Sequence, residues 1–272
     1  MSLSYLDVLM LGILQGIAEW LPISSKSFNM LYMVGLSVQD PSLAYSMSIW
    51  IHIGSFPAPI VVFRRQITSA LRSIRHPKTE GRRLFVFLIA GTAISGVIGV
   101  PLYYLTKETL TYLDVRNFMI VLGGLLLLTG LIDLLTRFKG SRREDSVNAK
   151  DSILIGAAQG LAALPGISRS GVTILAASWK GFTGEASASL SFMLEILAIP
   201  SMVFFDLMSG AAESGITAVQ AVGVEGLLLS AVASFLTSII MIRGLLALAR
   251  RVRMGYFVIF IGLVAIALNA IL

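Results

Sequence analysis

Two short polar stretches carry residue types that suit anion binding within an otherwise apolar chain. Pro165-Gly166-Ile167-Ser168-Arg169-Ser170 places an arginine between two serines, and Pro22-Ile23-Ser24-Ser25-Lys26-Ser27 repeats this layout with a lysine. Arginine offers a fork of N–H donors that matches phosphate oxygens, and lysine supplies a point charge. Hydroxyl and backbone N–H donors would complete such a site. We therefore predict a phosphate clamp formed by Ser24, Ser25, Lys26, Ser27, Ser168, Arg169 and Ser170.

The two basic residues of the clamp also have a structural alternative. Lys26 and Arg169 could each pair with a membrane-buried acid such as Glu19. A charge at membrane depth is costly and usually functional, so phosphate binding is the stronger hypothesis.

Glu19 follows Gln15 by four residues, so both side chains face one side of a helix. Together they could hold a hard cation beside a diphosphate. Alternatively, Glu19 could act as a general base on a serine hydroxyl. The spacing alone does not decide between these roles.

Two further ionisable residues lie in apolar segments. His52 and Glu195 occupy matching places in the two halves of the chain, four residues after Ser48 and Ser191. They are a candidate proton relay near the clamp, with hydrogen-bonded structure as the alternative. We expect Asp133 and Asp206 to be helix-end acids near water.

Composition places the chain in a membrane. Of its 272 residues, 56% are hydrophobic and 13% are charged, whereas about a quarter are charged in soluble domains. The absence of cysteine excludes disulfides and thiolate metal sites. Despite the net charge of +6, the basic residues form short runs between apolar segments, which favours cytoplasmic loops over nucleic-acid binding. We expect Tyr5–Leu21 to be retained and not a signal peptide, because no basic n-region or small-residue cleavage site accompanies it.

Two pairs of apolar segments are too short for a bilayer, which takes roughly 20 helical residues to cross. Tyr5–Leu21 stops at Pro22 and is followed by Phe28–Leu36, and Ser152–Leu164 stops before Pro165 and is followed by Gly171–Trp179. Each pair can only enter and return. The pattern predicts two re-entrant half-helix hairpins whose loops are surrounded by protein or by a polar cavity.

Six other segments are long enough to span, and Pro57 and Pro59 should kink the first of them. Most of the 21 Lys and Arg fall in basic clusters on one side of this layout, which predicts a multi-pass cell-membrane protein with both termini outside. The predicted spans are Ala44–Phe63, Leu84–Thr106, Asn117–Leu135, Ala188–Met208, Val222–Leu248 and Tyr256–Leu272. The main basic clusters are Arg64–Arg83, Arg137–Asp151 and Arg250–Arg253, and Ser209–Gln220 is predicted to be a loop.

The halves of the chain align in order, which predicts an internal repeat. The matched pairs include Pro22 with Pro165, Ser25 with Ser168, Lys26 with Arg169, Ser48 with Ser191, and Pro57 with Pro200. Each half holds one hairpin and three spans, so the second half starts on the opposite side of the membrane. We predict an all-α integral membrane protein, with six transmembrane helices plus two re-entrant half-helix hairpins in an inverted-topology repeat. It would form a single membrane domain over 1–272, with repeat 1 at about 4–137 and repeat 2 at about 151–272.

Over nearly its whole length the sequence resembles the undecaprenyl pyrophosphate phosphatase family, also known as bacitracin-resistance proteins. The resemblance is carried by Gln15-Gly16-Ile17-Ala18-Glu19-Trp20-Leu21-Pro22-Ile23-Ser24-Ser25 and by the complete second motif from Pro165 to Thr173. It implies hydrolysis of a polyprenyl diphosphate to the monophosphate, which recycles the carrier lipid for the cell envelope, with Mg²⁺ or Ca²⁺ support. It also implies Ser25 as nucleophile, Glu19 and Gln15 in a metal or base role, and Arg169, Ser168, Ser170 and Thr173 at the phosphate.

The chain departs from the family pattern at two places. Lys26, Ser27 and Phe28 stand where the family has a small residue, glycine and histidine, and Glu195 stands where it has alanine. His52 and Glu195 could replace the lost histidine, Lys26 could change the mechanism, or the protein could bind lipid phosphate without cleaving it. A transporter or flippase for a phosphorylated lipid is therefore the alternative to a phosphatase. The expected partners are a polyprenyl diphosphate and membrane lipid, and a homo-oligomer is compatible with the sequence.

Overall fold

A computed structural model describes most of the chain as α-helix. The described residues are 4–21, 24–35, 41–79, 81–110, 140–164, 167–208 and 212–248, with the single positions 120, 124, 127, 128, 131, 259, 260 and 263. The helices are α1 (Tyr5–Ala18), α2 (Ser25–Gly35), α3 (Pro41–Ser55), α4 (Pro57–Val62), α5 (Arg64–Arg72), α6 (Gly81–Leu110), α7 (Ala149–Leu161), α8 (Arg169–Trp179), α9 (Gly184–Met208) and α10 (Ala212–Leu248). Within these ranges there is no β-strand, which confirms the all-helical prediction.

Three helices in the described part are long and apolar enough to cross a membrane. They contain the segments Gly81–Thr106, Gly184–Met208 and Gly223–Ala247. The protein is therefore a multi-pass membrane protein. The predicted spans Asn117–Leu135 and Tyr256–Leu272 lie outside the continuously described residues, as do Asp133 and the prolines Pro22 and Pro165.

The predicted span Ala44–Phe63 is interrupted at Phe56, directly before Pro57, but its sharp bend comes later, after Val62. It consists of α3 and α4, and Pro57 occupies the first turn of α4, where its missing N–H is tolerated. After Phe63 the chain turns by 79° into α5. The basic segment that starts at Arg64 is thus helical at first, because Arg64–Arg72 combines charged residues with a buried face at Ala70.

The four short helices at the predicted hairpins are α1, α2, α7 and α8. They hold 14, 11, 13 and 11 residues, fewer than a span requires. α1 and α7 both start with a capping box, formed by Ser4 with Asp7 and by Asn148 with Asp151. Such reciprocal caps satisfy the free N–H groups of a first turn.

The prediction of a loop over Ser209–Gln220 is wrong for the residues that the structure describes. α10 already begins at Ala212 and contains a break at Gly223, whose φ is +70°. The lack of Lys and Arg indicated a connection but carried no information on its conformation. Glycine accommodates the positive φ without a Cβ clash.

Small residues allow the helices of the core to approach closely. A Cβ on Gly156 of α7 would lie 2.6 Å from the carbonyl oxygen of Gly91 in α6. Larger residues fill the centre, where Trp20 packs edge-on against Phe192 with ring centroids 5.1 Å apart. This packing fixes the end of α1, and with it the preceding residue Glu19, against α9.

A cluster of charged residues around the buried Asp151 ties the start of α7 to the turn before α9. Arg142 donates two parallel hydrogen bonds to Asp151, at 3.1 and 2.7 Å, and stacks 4.0 Å from the ring centroid of Phe182. Burial alone would raise the pKa of Asp151, but hydrogen bonds from Arg142 and from the Asn148 backbone outweigh it and hold that pKa below its ordinary value. Lys180 lies 3.6 Å from the same carboxylate.

Candidate active site

The two predicted polar loops meet at one cavity of about 140 Å³. The C-terminal end of α1, the first turns of α2 and α8, and the middle of α3 and α9 all contribute to it. Of the predicted residues, those that line it are Glu19, Ser24, Ser25, Lys26, His52, Ser168, Arg169, Ser170 and Glu195. The helix starts of α2 and α8 therefore direct free N–H groups toward this region.

Glu19 is the most heavily contacted group of the site. Its Oε2 accepts hydrogen bonds from Gln15 Nε2 at 2.7 Å and from Ser25 Oγ at 2.5 Å, and lies 2.9 Å from His52 Nε2. Its Oε1 accepts from Arg169 Nη2 at 3.1 Å. Glu19 is only 5% exposed to solvent. These donors therefore replace the water that its carboxylate would otherwise need.

Ser25 is positioned as a hydroxyl between a carboxylate that accepts its proton and an imidazole. Its Oγ donates to Glu19 and lies 3.3 Å from His52 Nε2. The ring of His52 is oriented by Ser48, whose carbonyl oxygen is 2.5 Å from Nδ1. A carbonyl oxygen can only accept, so Nδ1 carries a proton. The 2.9 Å contact between Nε2 and the Glu19 carboxylate also needs a proton, which lies between these two groups. This is the geometry expected of a nucleophile with a base beside it.

Arg169, the first residue of α8, lies between two carboxylates. Nη2 contacts Oε1 of Glu19 and Oε1 of Glu195, and Nη1 donates to the carbonyl oxygen of Ser191 at 3.2 Å. His52 and Glu195 thus both reach the clamp. They are linked through Glu19 and Arg169 and not by a direct contact between the two described side chains.

Lys26 crosses to the other hairpin. Its Nζ donates to the carbonyl oxygen of Ala162 at 2.6 Å and lies 5.8 Å from the ring centroid of Tyr45. Tyr45 in turn donates to the carbonyl oxygen of Ala163 at 3.0 Å. The charged end of Lys26 therefore lies at the cavity, near the C-terminal end of α7, where a cation is favoured.

The serines differ in how their hydroxyls are used. Ser168 caps α8 by accepting from the Gly171 N–H at 3.2 Å, and Ser170 donates to the carbonyl oxygen of Leu21 at 2.8 Å. Ser24 has φ of +60°, the left-handed conformation that a non-glycine residue rarely adopts. Such strain is often found at functional sites.

Three predicted residues lie behind the cavity and do not line it. Ser27 shares a hydroxyl contact with Ser24 at 2.7 Å, and Thr173 contacts the Ser191 hydroxyl at 2.6 Å. Gln15 is fully buried beneath Glu19. In the described arrangement these three side chains support the residues that face the cavity.

The Gln15 and Glu19 pair does not fit a cation in this arrangement. The amide oxygen of Gln15 accepts from Asn29 Nδ2 at 2.5 Å, and its NH₂ group points toward Glu19. Both oxygens of Glu19 already face N–H or O–H donors. In the part of the chain that the structure describes, no cluster of three or more His, Asp or Glu is arranged to hold a metal.

Sequence reasoning missed Asn29 and Tyr45. Asn29 follows Ser25 by four residues and therefore lies on the same face of α2. Tyr45, Ser48 and His52 likewise share a face of α3. A search for polar residues at helical spacing from Ser25 and from His52 would have identified Asn29 and Tyr45.

Much of the remaining cavity wall is apolar, although Thr92, Ser95, Gln159 and Ser201 also line it. The apolar part is formed on one side by Gly96, Gly99 and Val100 of α6 and on the other by Ile199, Met202 and Phe205 of α9, among other residues. The cavity thus joins a polar end to an apolar wall within one space.

Asp206 corrects a further expectation. It is buried near the end of α9, where its carboxylate accepts from Trp50 Nε1 at 3.0 Å and from the Tyr103 hydroxyl at 2.5 Å. Its position near the helix end indicated water, but aromatic donors from α3 and α6 enclose it.

Comparison with known proteins finds the same resemblance over the whole chain. Residues 8–267 match the family described as Bacitracin resistance protein BacA. A protein of Saccharolobus islandicus named undecaprenyl-diphosphatase is 38% identical over 88% of this chain and 86% of its own length. Proteins of the same name from Methanothrix thermoacetophila and Pyrobaculum aerophilum are 32% and 35% identical, over 98% and 94% of this chain and 97% and 94% of their own lengths.

Proposed function

Because the chain belongs to the bacitracin resistance protein BacA family, we propose that it is a membrane phosphatase that hydrolyses undecaprenyl diphosphate to the monophosphate. The relatives named above carry the name of that activity. This function corresponds to the recycling of a carrier lipid for the cell envelope.

The single observation that carries the proposal is the contact of Ser25 with Glu19 and His52 inside the cavity that also holds Arg169. A diphosphate lipid needs cationic and N–H donors at one end and an apolar surface for its chain. The cavity offers both. The terminal phosphate would lie against Arg169, Lys26 and the first turns of α2 and α8.

In the proposed reaction, Ser25 Oγ attacks the terminal phosphorus. The Oγ–P bond forms as the bond from that phosphorus to the bridging oxygen breaks, and the monophosphate lipid leaves with that oxygen. The proton of Ser25 passes to the Glu19 and His52 pair. Water then attacks the phosphoserine and gives a proton to the same pair, while the Oγ–P bond breaks. Ser25 Oγ takes a proton back from the pair, and inorganic phosphate leaves. Electrostatic stabilisation by Arg169 and Lys26 would supply much of the rate.

A divalent cation stays a prediction. Gln15 and Glu19 as arranged do not offer it a set of free oxygens, so none of the steps above depends on one. A cation would neutralise charge on the diphosphate when bound.

We also propose the full topology of six spans and two re-entrant hairpins, with both termini outside. The short helices α1, α2, α7 and α8 support the hairpins. The capping boxes at corresponding places, Ser4 with Asp7 and Asn148 with Asp151, support the repeat.

The test is phosphate release by purified protein from undecaprenyl diphosphate and from a short prenyl diphosphate. We expect Ser25→Ala and Arg169→Ala each to lower kcat/KM by at least about a thousandfold. Ser201→Ala is the matched control, since this cavity serine only donates to Leu197 within its own helix. Activity that survives both site changes would overturn the assignment. Lipid phosphate crossing reconstituted vesicles without hydrolysis would establish the transporter instead, which no observation favours at present.

A further inference from the structure

Glu195 occupies the place on Arg169 that a phosphate would take. It is a buried residue of α9, only 1% exposed, and its Oε1 contacts Nη2 of Arg169. Among the described residues, its carboxyl group contacts Arg169 and the carboxyl group of Glu19, which shares Nη2 with it. Glu195 therefore has few contacts for a buried acid.

The shape of a guanidinium makes Nη2 decisive. Its two open edges, each able to bind two oxygens of a phosphate, are Nε with Nη2 and Nη1 with Nη2. The third edge is blocked by the side chain's own Cδ. Glu19 and Glu195 both contact Nη2, so neither edge can bind a phosphate in the bidentate mode while both carboxylates remain in place.

The two carboxylates are held very differently. Glu19 faces Gln15, Ser25 and His52 in addition to Arg169. Among the described residues, Glu195 contacts only Arg169 and the carboxyl group of Glu19. A competing anion would therefore displace Glu195 before Glu19.

We propose that Glu195 is an internal competitor of phosphate, which occupies Arg169 in the resting protein and is displaced by the terminal phosphate of the substrate. The inference rests on the proposed function for the identity of the substrate, although the competition itself concerns any phosphate at Arg169. Glu195 keeps the buried guanidinium paired when the site is empty. Its return to Arg169 favours release of inorganic phosphate after hydrolysis.

The role differs from a proton relay in what it predicts for kinetics. A competitor weakens ground-state and transition-state binding alike, so its removal lowers KM more than it changes kcat. Loss of a catalytic acid lowers kcat. The division of the effect between the two constants therefore separates the roles.

The experiment measures binding of inorganic phosphate to the full chain in detergent by calorimetry, and KM for undecaprenyl diphosphate in parallel. Glu195→Gln and Glu195→Ala are both tested, with thermal unfolding to verify folding. We expect each to tighten phosphate binding about tenfold, the equivalent of one charge-assisted contact, and to lower KM by a similar factor. Adding Arg169→Ala should abolish the gain.

Asp206→Asn is the matched control, because it also neutralises a buried acid of α9 but one bound to Trp50 and Tyr103. It should leave phosphate affinity unchanged. Equal tightening by Asp206→Asn would overturn the proposal in favour of a general charge effect. Unchanged or weaker phosphate binding in both Glu195 variants, or a fall in kcat at constant KM, would also overturn it. The calorimetry does not require turnover, so a protein that binds phosphate but hydrolyses no lipid refutes the proposed function and leaves the competition measurable.

Discussion

Lys26 donates a hydrogen bond of 2.6 Å to the carbonyl oxygen of Ala162, the residue that caps the C-terminal end of α7. Arg169 makes the corresponding contact in the opposite direction, to Glu19 at the C-terminal end of α1. Each basic residue thus reaches across to the half-helix of the other hairpin. The partner of Arg169 is a carboxylate, and the partner of Lys26 is a backbone carbonyl. Of the two basic residues, only Arg169 therefore contacts the base that lies beside Ser25.

Replacement of Lys26 by methionine tests its two roles together. The change keeps the length of the side chain but removes the charge and the contact with Ala162. We expect a loss of about 2 kcal/mol in stability, seen by thermal unfolding, and an increase of about tenfold in KM. Lys180→Met is the control, since Lys180 is partly exposed and lies beside Asp151 away from the cavity. An unaltered KM would restrict Lys26 to a structural brace.

His52 is expected to carry a proton during the reaction. In His52→Gln the side chain can still donate a hydrogen bond toward Glu19 but cannot accept a proton and return it. We predict a fall in kcat of about a hundredfold, with little change in KM, from steady-state phosphate release. The matched control is Ser48→Ala. The carbonyl oxygen that orients His52 is retained there, and only a hydroxyl that donates to the Tyr45 carbonyl is lost. A kcat equal to that of the unmodified protein would exclude His52 from proton transfer.

The clamp residues were predictable because their chemistry is encoded locally. An arginine or lysine between serines within an apolar segment is rare, and the proline before each loop indicates where the half-helix ends. The contacts of Glu19 with His52 and Arg169 depend instead on how three helices pack. The four-residue spacing of Gln15 and Glu19 suggested a metal site as readily as a hydrogen-bonded pair. The spacing carries no information on Asn29, whose side chain binds the Gln15 oxygen.

Tertiary packing explains the correction at Asp206. This residue is near a helix end in sequence, yet Trp50 and Tyr103 enclose it. These neighbours are far away in the chain and leave no local pattern. The segment after Ala212 is helical, although its lack of Lys and Arg suggested a connecting loop.

Acid should loosen the Arg142 and Asp151 cluster. The pKa of Asp151 in the folded protein lies below its ordinary value, as burial, which raises it, is outweighed by bonds from Arg142 and Asn148. The ionised form is therefore the stabilising one. Its contribution is fully present above about pH 4, the ordinary value for aspartate, and is lost as the pH falls through the lower folded value.

The measurement is thermal unfolding between pH 7 and pH 2 for the unmodified protein and for Asp151→Asn. We expect the variant to be less stable at pH 7 and the difference to shrink as the pH falls below about 4. Glu144→Gln is the control, because Glu144 is partly exposed and its side chain accepts a hydrogen bond from the neutral Gln66. A difference that stays constant over the whole range would show that ionisation of Asp151 does not stabilise the fold.

Removal of divalent cations should reveal whether the substrate or the protein carries the ion. The Gln15 oxygen is bound by Asn29, and Glu19 is surrounded by donors, so we expect the protein alone to bind Mn²⁺ only weakly, with Kd in the millimolar range or above. Chelation with EDTA should still lower phosphate release, because a diphosphate brings its own cation into the cavity. Electron paramagnetic resonance would measure the concentration of free Mn²⁺ in three samples. These contain the protein alone, a non-hydrolysed diphosphate analogue alone, and both together. Gln15→Leu should leave binding to the protein alone unchanged. Tight binding without the analogue that is abolished by Gln15→Leu would show instead that Gln15 rotates away from Asn29 and joins Glu19 as a ligand.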